Sequence, residues 1–241
     1  MLIKFLRPEH VSAFLDGSLF FMNTGYFIDL EKNDKKNKGI GDKYEGSHFT
    51  FFDNETHTVT IEIDGNKHNL PLEKGFMTLT NGSIRKLLLS CFTNIPFNPD
   101  NFYQDSCNHE YKIKSEVLEG LEKEFQDRIP IFIKHKPFFE RFDTKAKKIG
   151  FRRGLVKYFD EYSGYPLKLD QLENVFSDTL FYKRDFFKHQ KEYRIVLANP
   201  LDLDSTTIEL GNLRDCIVQL ESVQDLRKLS ISFKPTEKHS V

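Results

Sequence analysis

The chain of 241 residues contains no tryptophan and only three cysteines, Cys91, Cys107 and Cys216. The cysteines are far apart and form no Cys-x-x-Cys pair, so neither a disulfide framework nor a thiolate zinc site is expected. Each cysteine lies in or beside an apolar run, which favours a place in the core over a role as nucleophile. A reducing, cytoplasmic compartment is the expectation that follows.

Long apolar runs and an excess of one charge are also missing. No segment approaches the roughly 20 apolar residues that span a bilayer, and the first eight residues reach charge and proline too early for a signal peptide. The net charge is −1, from 35 Lys and Arg against 36 Asp and Glu, unlike that of a protein with a wholly basic surface for nucleic acid. We therefore expect a soluble protein without a membrane partner.

Several common catalytic motifs are absent as well. The sequence has no Gly-x-x-x-x-Gly-Lys-Ser/Thr loop, no Gly-x-Gly-x-x-Gly opening a helix and no Gly-x-Ser-x-Gly. The eight histidines show no His-Glu-x-x-His or other paired-ligand spacing. No bound metal is expected.

Helical and extended patterns are mixed without regular alternation, and short extended segments dominate the last third. We therefore predict a single domain over residues 1–241, with an α+β fold of mixed, mainly antiparallel sheets and flanking helices. The 24 phenylalanines are expected to fill much of its interior. The predicted strands are 2–6, 18–21, 58–63, 67–72, 87–92, 129–133, 155–159, 193–197, 206–210, 216–220 and 229–233.

The predicted helices and turns rest on capping and turn residues. Helices are expected from Pro8 to Gly17, after a cap at Ser115, over 137–149, and after the capping box Asp170 and Glu173. The helix over 137–149 is expected to bury one apolar stripe, formed by Phe138, Phe142, Ala146 and Ile149. Turns are expected at 23–25 and, between two hairpin strands, at 65–66. The polar, glycine-containing segment 31–47 is predicted to be a loop, either a lid or a disordered tip.

The segment 188–197 carries the most distinctive chemistry. Glu192 is a lone carboxylate at the start of a strand, among Lys188, His189, Lys191 and Arg194. Such a carboxylate can act on a bound sugar or phosphate, and it can equally be part of an ion pair.

A basic stripe lies between Lys134 and Lys157, with nine basic residues against two acidic ones. It suits a phosphate backbone, a pyrophosphate or an acidic partner, or else it is the solvated face of a helix. The candidate phosphate-binding residues in it are Lys145, Lys148, Arg152 and Arg153. A second run, 181–188, interleaves aromatic and basic residues and leads directly to Glu192.

Several short motifs together resemble a widespread family of uncharacterised bacterial and prophage proteins. The motifs are Ile3-Lys-Phe-Leu-Arg7, Gly17-Ser-Leu-Phe-Phe21, Tyr26-Phe27 with Gly41-Asp-Lys-Tyr-Glu-Gly46, Val156-Lys-Tyr158, and Lys183 with Glu192-Tyr-Arg194. That family is distantly similar to the ADP-ribosyltransferase fold. The segment 191–196 also resembles the strand that carries the catalytic glutamate of poly-ADP-ribose polymerases.

The resemblance implies NAD as a substrate, with Glu192 stabilising the oxocarbenium ion that forms as nicotinamide leaves. It implies that Lys4 or Arg7 holds the pyrophosphate or ribose and that Tyr26 or Phe27 stacks on nicotinamide. Lys183 and Arg194 complete the implied cofactor-binding set. It further implies a toxin or antiviral-defence protein with a protein or nucleic-acid target.

Three functions remain open on the sequence. The first is an ADP-ribosyltransferase-like or NAD-consuming effector. The second is a non-catalytic module of the same fold that senses a nucleotide or a phage component through the basic stripe. The third is a metal-dependent nuclease in which Glu192 and Asp178 or Asp185 hold magnesium, although Arg194 stands where such sites usually place lysine.

Overall fold

The computed structural model describes residues 1–33, 41–55, 57–71, 73–107, 109–168 and 176–233. Its strands are, in chain order, Leu2–Leu6 (β1), Ser18–Asn23 (β2), Ser47–Asp53 (β3), Val59–Ile63 (β4), Asn66–Leu70 (β5), Lys74–Thr80 (β6), Leu88–Asn94 (β7), Phe102–Gln104 (β8), Tyr111–Ile113 (β9), Ile129–Ile133 (β10), Phe151–Leu155 (β11), Lys157–Phe159 (β12), Tyr182–Arg184 (β13), Glu192–Leu197 (β14), Ser205–Glu209 (β15) and Ile217–Gln219 (β16). Its α-helices are Pro8–Asp16 (α1), Thr24–Asn33 (α2), Ser115–Glu124 (α3) and His135–Ala146 (α4). Short 3₁₀ helices cover Gly82–Lys86, Phe176–Phe181, Asp185–Gln190 and Val223–Lys228.

The largest sheet has eight strands in the order β11-β14-β7-β1-β10-β16, with β2 beside β7 and β15 beside β2. Every pairing between the described strands is antiparallel except that of β12 with β13. The predicted α+β class with mainly antiparallel sheets is therefore confirmed. In the described part of the chain, no helix is long and apolar enough to cross a membrane.

The two faces of this sheet bury different side chains, because successive residues of a strand point to opposite sides. On one face, Leu88 and Phe92 of β7 pack with Ile195 of β14 against α1 and α4, which contribute Phe14 and Phe138. On the other face, one half of the sheet packs on α3 and 223–228. The other half buries the β7 and β14 side chains Leu89 and Val196 with Ile84 and Leu180.

The predicted helix over 137–149 lies at 135–146. Phe138, Phe142 and Ala146 are buried as predicted, whereas Ile149 is beyond the helix and exposed. The N–H of Ile149 instead donates to the Ala146 carbonyl, in the turn that leads to β11. This helix therefore ends four residues before Gly150.

The predicted turn at 23–25 is wrong, because α2 begins there. Asn23 Oδ1 accepts a hydrogen bond from the Tyr26 N–H, at 2.8 Å, so the residue caps a helix. Asn favours both turns and helix N-termini, and local sequence does not separate the two. The predicted cap at Ser115 is also displaced, since the capping position is Lys114 and Ser115 is the first helical residue.

The predicted hairpin of β4 and β5 is present, but its turn is Asp64-Gly65. Ile63 pairs with Asn66, and both turn residues have positive φ, 50° and 82°. The predicted strand 155–159 is interrupted at Val156, where the chain leaves the large sheet. Of the predicted strand 229–233, only Ile231 forms a bridge, to Tyr111. The capping box at Asp170 and Glu173 lies outside the described residues.

Candidate functional site

Four charged side chains from three segments meet under the sheet, on the face opposite α1 and α4. Glu192 and Arg194 are two residues apart on β14, so both point to this face. Lys183 comes from β13, and Glu45 comes from the turn that precedes β3. All four residues are buried, and we refer to them as the ion cluster.

The ion cluster is closed by charge-assisted hydrogen bonds. Lys183 Nζ donates to Glu192 Oε1 at 2.5 Å, and Arg194 Nε donates to Glu192 Oε2 at 2.6 Å. The guanidinium of Arg194 also binds Glu45 through both oxygens, at 2.6 and 2.9 Å. Two carboxylates thus face two cations, and each charge has an opposite charge within hydrogen-bonding distance.

The electrostatics follow from this pairing. Burial by itself would raise the pKa of Glu192, but the charges of Arg194 and Lys183 outweigh it and hold the pKa at about 2. Burial would likewise lower the pKa of Lys183, and the charge of Glu192 raises it instead. Glu192 and Lys183 are therefore ionised over the whole physiological pH range.

The backbone around Glu192 is also held from several sides. The Glu192 N–H donates to the Tyr158 hydroxyl at 2.8 Å, and the Glu192 carbonyl accepts from the Val156 N–H at 2.9 Å. Just before it, Lys191 has a positive φ of 47° and ends the 3₁₀ helix 185–190. Gln190 donates to Glu124 of α3 at 2.9 Å and accepts from Lys183 at 3.1 Å. Helix, turn and strand together fix the position of the carboxylate.

Part of the segment 31–47, predicted to be a lid or disordered tip, is docked onto the ion cluster. Asp42 is buried and accepts a hydrogen bond from Arg184, at 3.2 Å. The guanidinium of Arg184 also lies over the ring of Tyr44, 4.9 Å from its centre. Residues 41–46 are therefore held by Arg184 and Arg194 and are not a loose tip; residues 34–40 lie outside the described part.

Lys4 points to the other face of the sheet. Its Nζ donates to Ser90 Oγ at 2.9 Å and to the Cys91 carbonyl at 2.7 Å, and lies over the ring of Phe92. Phe92 belongs to the core under α1 and α4, whereas Glu192 and Arg194 point away from it. The sheet therefore separates Lys4 from Glu192, and these two side chains do not line one cleft.

The position of Lys4 has a structural reason. Strand β7 pairs with β14 along one edge. Along its other edge, β7 pairs with β1 through Thr93 and Asn94 and with β2 through Leu88 and Leu89. The carbonyl of Cys91 falls between these two pairings, and the Lys4 ammonium takes the place of a strand partner. Burial lowers the pKa of Lys4 to about 8; the field of Cys91 opposes this shift, and the more weakly acting Arg128 adds to it.

The other implied NAD contacts are dispersed. Arg7 precedes α1 with 58% of its side chain exposed, and its nearest described carboxylate, Glu9, is 4.0 Å away. Tyr26 and Phe27 lie on α2, in edge-to-face contact with each other. Phe27 packs on the core of the Glu192 face, and Tyr26 is exposed. Of the predicted NAD contacts, only Lys183 and Arg194 bind Glu192.

The arginines of the basic stripe have carboxylate partners. Arg152 binds Asp178. Arg153 binds Asp143 of α4 and lies 4.3 Å from the ring centre of Phe139. Lys145 and Lys148 are exposed; Lys145 lies in a separate depression beside Arg141, while Lys148 is in the turn before β11. The stripe is therefore divided between α4 and the edge strand.

An open groove of about 360 Å³ follows the edge of the sheet at β11. It is lined by residues 152–155 of β11 and by Lys157, Asp178, Phe181 and Tyr182. The Lys157 ammonium lies 5.6 Å from the centre of the Tyr182 ring. We call this feature the β11 groove; it combines cationic, aromatic and backbone groups.

Glu45, the second carboxylate of the ion cluster, is not among the site residues predicted from the sequence. Its signal was present, since Asp42 and Glu45 are the acidic residues between Gly41 and Gly46. Sequence alone gave no reason to bring them to Arg184 and Arg194, which are about 150 positions away. The expected core position of all three cysteines was also partly wrong, because Cys107 is exposed.

The described part of the chain contains no group of three or more His, Cys, Asp or Glu side chains arranged to hold a metal ion. Asp178, one predicted magnesium ligand, binds Arg152 at the sheet edge, whereas Glu192 binds Lys183 and Arg194 beneath the sheet. Comparison with protein-family models, curated proteins and solved structures found no match to this chain. The family resemblance of its motifs stays a prediction.

Proposed function

We propose that this protein is a non-catalytic recognition module, with an ADP-ribosyltransferase-like fold, that binds an anionic ligand in the β11 groove. One observation carries the proposal: the two oxygens of Glu192 are committed to internal cations, while the groove presents cations and aromatic rings to solvent. A buried, neutralised ion cluster suits a role in fixing the fold.

The β11 groove has the chemistry that an anion requires. Its volume lies within the range of about 300–1,000 Å³ typical of small-ligand sites. Arg152 has half of its side chain exposed, and its ion pair with Asp178 is of the surface kind that contributes little stability. A ligand carboxylate or phosphate can replace Asp178 on Arg152, with Lys157 as a second contact.

The test is calorimetry of the purified protein with NAD, ATP, a short single-stranded DNA and an acidic peptide. We expect at least one of these ligands to bind and the Arg152→Ala/Lys157→Ala double variant to lose at least about tenfold in affinity, since charged hydrogen bonds are each worth about 1.5–3 kcal/mol. Arg214→Ala is the matched control, because Arg214 is equally exposed and is paired with Asp16 elsewhere. Equal losses in the two variants, or no binding, would contradict the proposal.

An ADP-ribosyltransferase-like enzyme is the second candidate. It is favoured by an ionised Glu192 that starts a strand and retains about a tenth of its side-chain exposure. Such an enzyme releases nicotinamide from NAD, and we expect Glu192→Gln to abolish this release. The control is Glu209→Gln, which changes a surface carboxylate bonded to Ser18 and should not affect the release. Absence of nicotinamide release from the wild-type protein, with NAD, protein, DNA and RNA targets present, excludes this candidate.

A further inference from the structure

Strand β11 is at one end of the large sheet, and β14 is its one strand partner in the described chain. Two hydrogen bonds define which of its backbone groups face that partner. The Val156 N–H donates to the Glu192 carbonyl at 2.9 Å, and the Ala198 N–H donates to the Gly150 carbonyl at 2.7 Å. In an antiparallel pair, alternate residues face the partner strand. The backbone N–H and C=O groups of the even-numbered residues in 150–156 therefore point towards β14.

The odd-numbered residues consequently point their backbone groups away from β14. These residues are Phe151, Arg153 and Leu155, and each presents one N–H and one C=O along the free edge. No described backbone group pairs with them. The β11 groove runs beside this edge, because residues 152–155 line it. An unpaired edge bordered by a groove is the geometry of strand addition.

The charge of the residues in and around β11 favours one kind of segment as a partner for this edge. Arg152 and Arg153 lie on β11, Lys157 follows it, and the exposed Lys147 and Lys148 precede it. A second copy paired edge to edge would bring two such basic segments together, and like charges on neighbouring strands destabilise a sheet. An extended segment rich in Asp and Glu meets the same edge with complementary charge.

We propose that β11 is a docking strand for an extended, acidic polypeptide segment of a partner protein. The segment adds to the sheet through the backbone groups of Phe151, Arg153 and Leu155, and its carboxylates bind Arg152 and Lys157. This inference rests on the proposed recognition function and specifies its ligand as protein. Nucleotides and single-stranded nucleic acid are the competing outcomes of the test.

The probe is a fluorescent peptide of sequence Thr-Glu-Val-Asp-Thr-Glu-Val-Asp, measured by anisotropy against the full chain. Its matched control carries N-methyl groups on the two central residues, which removes one N–H from each edge and keeps every charge. Strand addition predicts a loss of at least about tenfold for the methylated peptide, since each backbone hydrogen bond contributes about 0.5–1.5 kcal/mol and the methyl groups also obstruct pairing.

The protein side is tested with Leu155→Pro and Leu155→Ala. Leu155 is half-exposed and its N–H faces outward, so proline there leaves the bonds to β14 in place while blocking the free edge. We expect Leu155→Pro to bind at least about tenfold more weakly than Leu155→Ala, which changes the same side chain but keeps the backbone N–H. If Leu155→Pro does not fold, as judged by circular dichroism, the pair of peptides decides.

Each outcome separates the inference from the function on which it rests. Equal affinity for the two peptides shows that charge alone holds the ligand and overturns strand addition. Binding of NAD, ATP or single-stranded DNA at the β11 groove, without peptide binding, also overturns strand addition but leaves the recognition function intact. Failure of all the anionic ligands overturns both.

Discussion

At the scale of single residues, Arg194 joins three segments that are distant in sequence. Its guanidinium binds Glu192 on its own strand, Glu45 before β3 and the Leu180 carbonyl in the 3₁₀ helix 176–181. A buried charge needs such partners, since an uncompensated ion inside a protein is costly. Arg194 is thus placed to fix the turn 41–46 and the 176–181 segment on the sheet.

Replacing Arg194 by methionine should strongly destabilise the protein. Glu45 and Glu192 would lose their shared cation while Lys183 alone remained, and breaking a buried ion pair in this way costs about 3–5 kcal/mol. Urea unfolding followed by circular dichroism measures the change. Arg214→Met, which removes an exposed ion pair with Asp16, is the control and should cost no more than about 1 kcal/mol. Similar losses in both variants would contradict a buried, structural cluster.

The stabilisation that Glu192 provides should be lost at acidic pH. Its pKa falls from 4.5 to about 2 in the folded protein, so the unfolded chain binds the proton more tightly. The contribution of Glu192 is therefore fully present above pH 4.5 and is lost as pH falls from 4.5 towards 2. Urea unfolding between pH 7 and pH 2 should show a shallower acid loss in Glu192→Gln than in the wild type. Parallel curves would mean that this carboxylate is not stabilised by folding.

At the scale of elements, the division of β7 between two partners is the main irregularity of the sheet. β1 and β2 separate beside Cys91, and Lys4 satisfies the carbonyl that this separation leaves open. The lysine of the opening strand therefore stabilises a junction between strands. This role explains its half-buried position without a ligand.

Lys4→Met should lower stability at neutral pH by about 1–3 kcal/mol, the cost of leaving a buried carbonyl unpaired. The difference in the free energy of unfolding between the variant and the wild type should change with pH in the alkaline range. Folding lowers the pKa of Lys4 from 10.5 to about 8, so the unfolded chain holds the proton more tightly between these values. The wild type should therefore gain stability as pH rises from 8 to 10.5, and the variant should lack this gain. Thermal unfolding across this range decides, and an identical alkaline profile would refute the assignment.

At the scale of the whole molecule, a nearly neutral chain concentrates positive charge at one end of its sheet. The net charge is −1, yet β11 and its flanking residues carry a local excess of Lys and Arg. Such an asymmetry attracts anions locally without making the protein basic overall. Binding in the β11 groove should therefore respond to salt and to charges outside the groove itself.

Affinity for the anionic ligand should fall between about 50 and 200 mM salt, because salt screens the attraction between solvent-exposed charges. Lys148→Glu, beside β11, should weaken binding at low salt by reversing a nearby charge. Lys228→Glu makes the same charge change at an exposed residue of the 3₁₀ helix 223–228, which packs under the half of the sheet that contains β1 and β10. Titrations at several salt concentrations test this, and an equal effect of both variants would argue against a local site.

Local sequence patterns predicted a substantial part of the fold. The alternation over 193–197 identified β14, Pro8 and Gly17 marked the two ends of α1, and the apolar stripe of α4 identified Phe138 and Phe142 as buried. These features depend on neighbouring residues, so a single segment contains the information. The prediction was wrong where one residue type is typical of two structures. Asn23 was predicted to lie in a turn, and it caps a helix instead.

The amino-acid sequence by itself determined that Glu192 stands among cations at the start of a strand and that a basic stripe precedes it. The tertiary structure decided what those charges do. Arg194 meets Glu45 and Arg152 meets Asp178 because the fold brings remote segments together, and the sheet places Lys4 and Glu192 on opposite faces. Ion pairs and burial depend on distances in space, which local patterns do not encode.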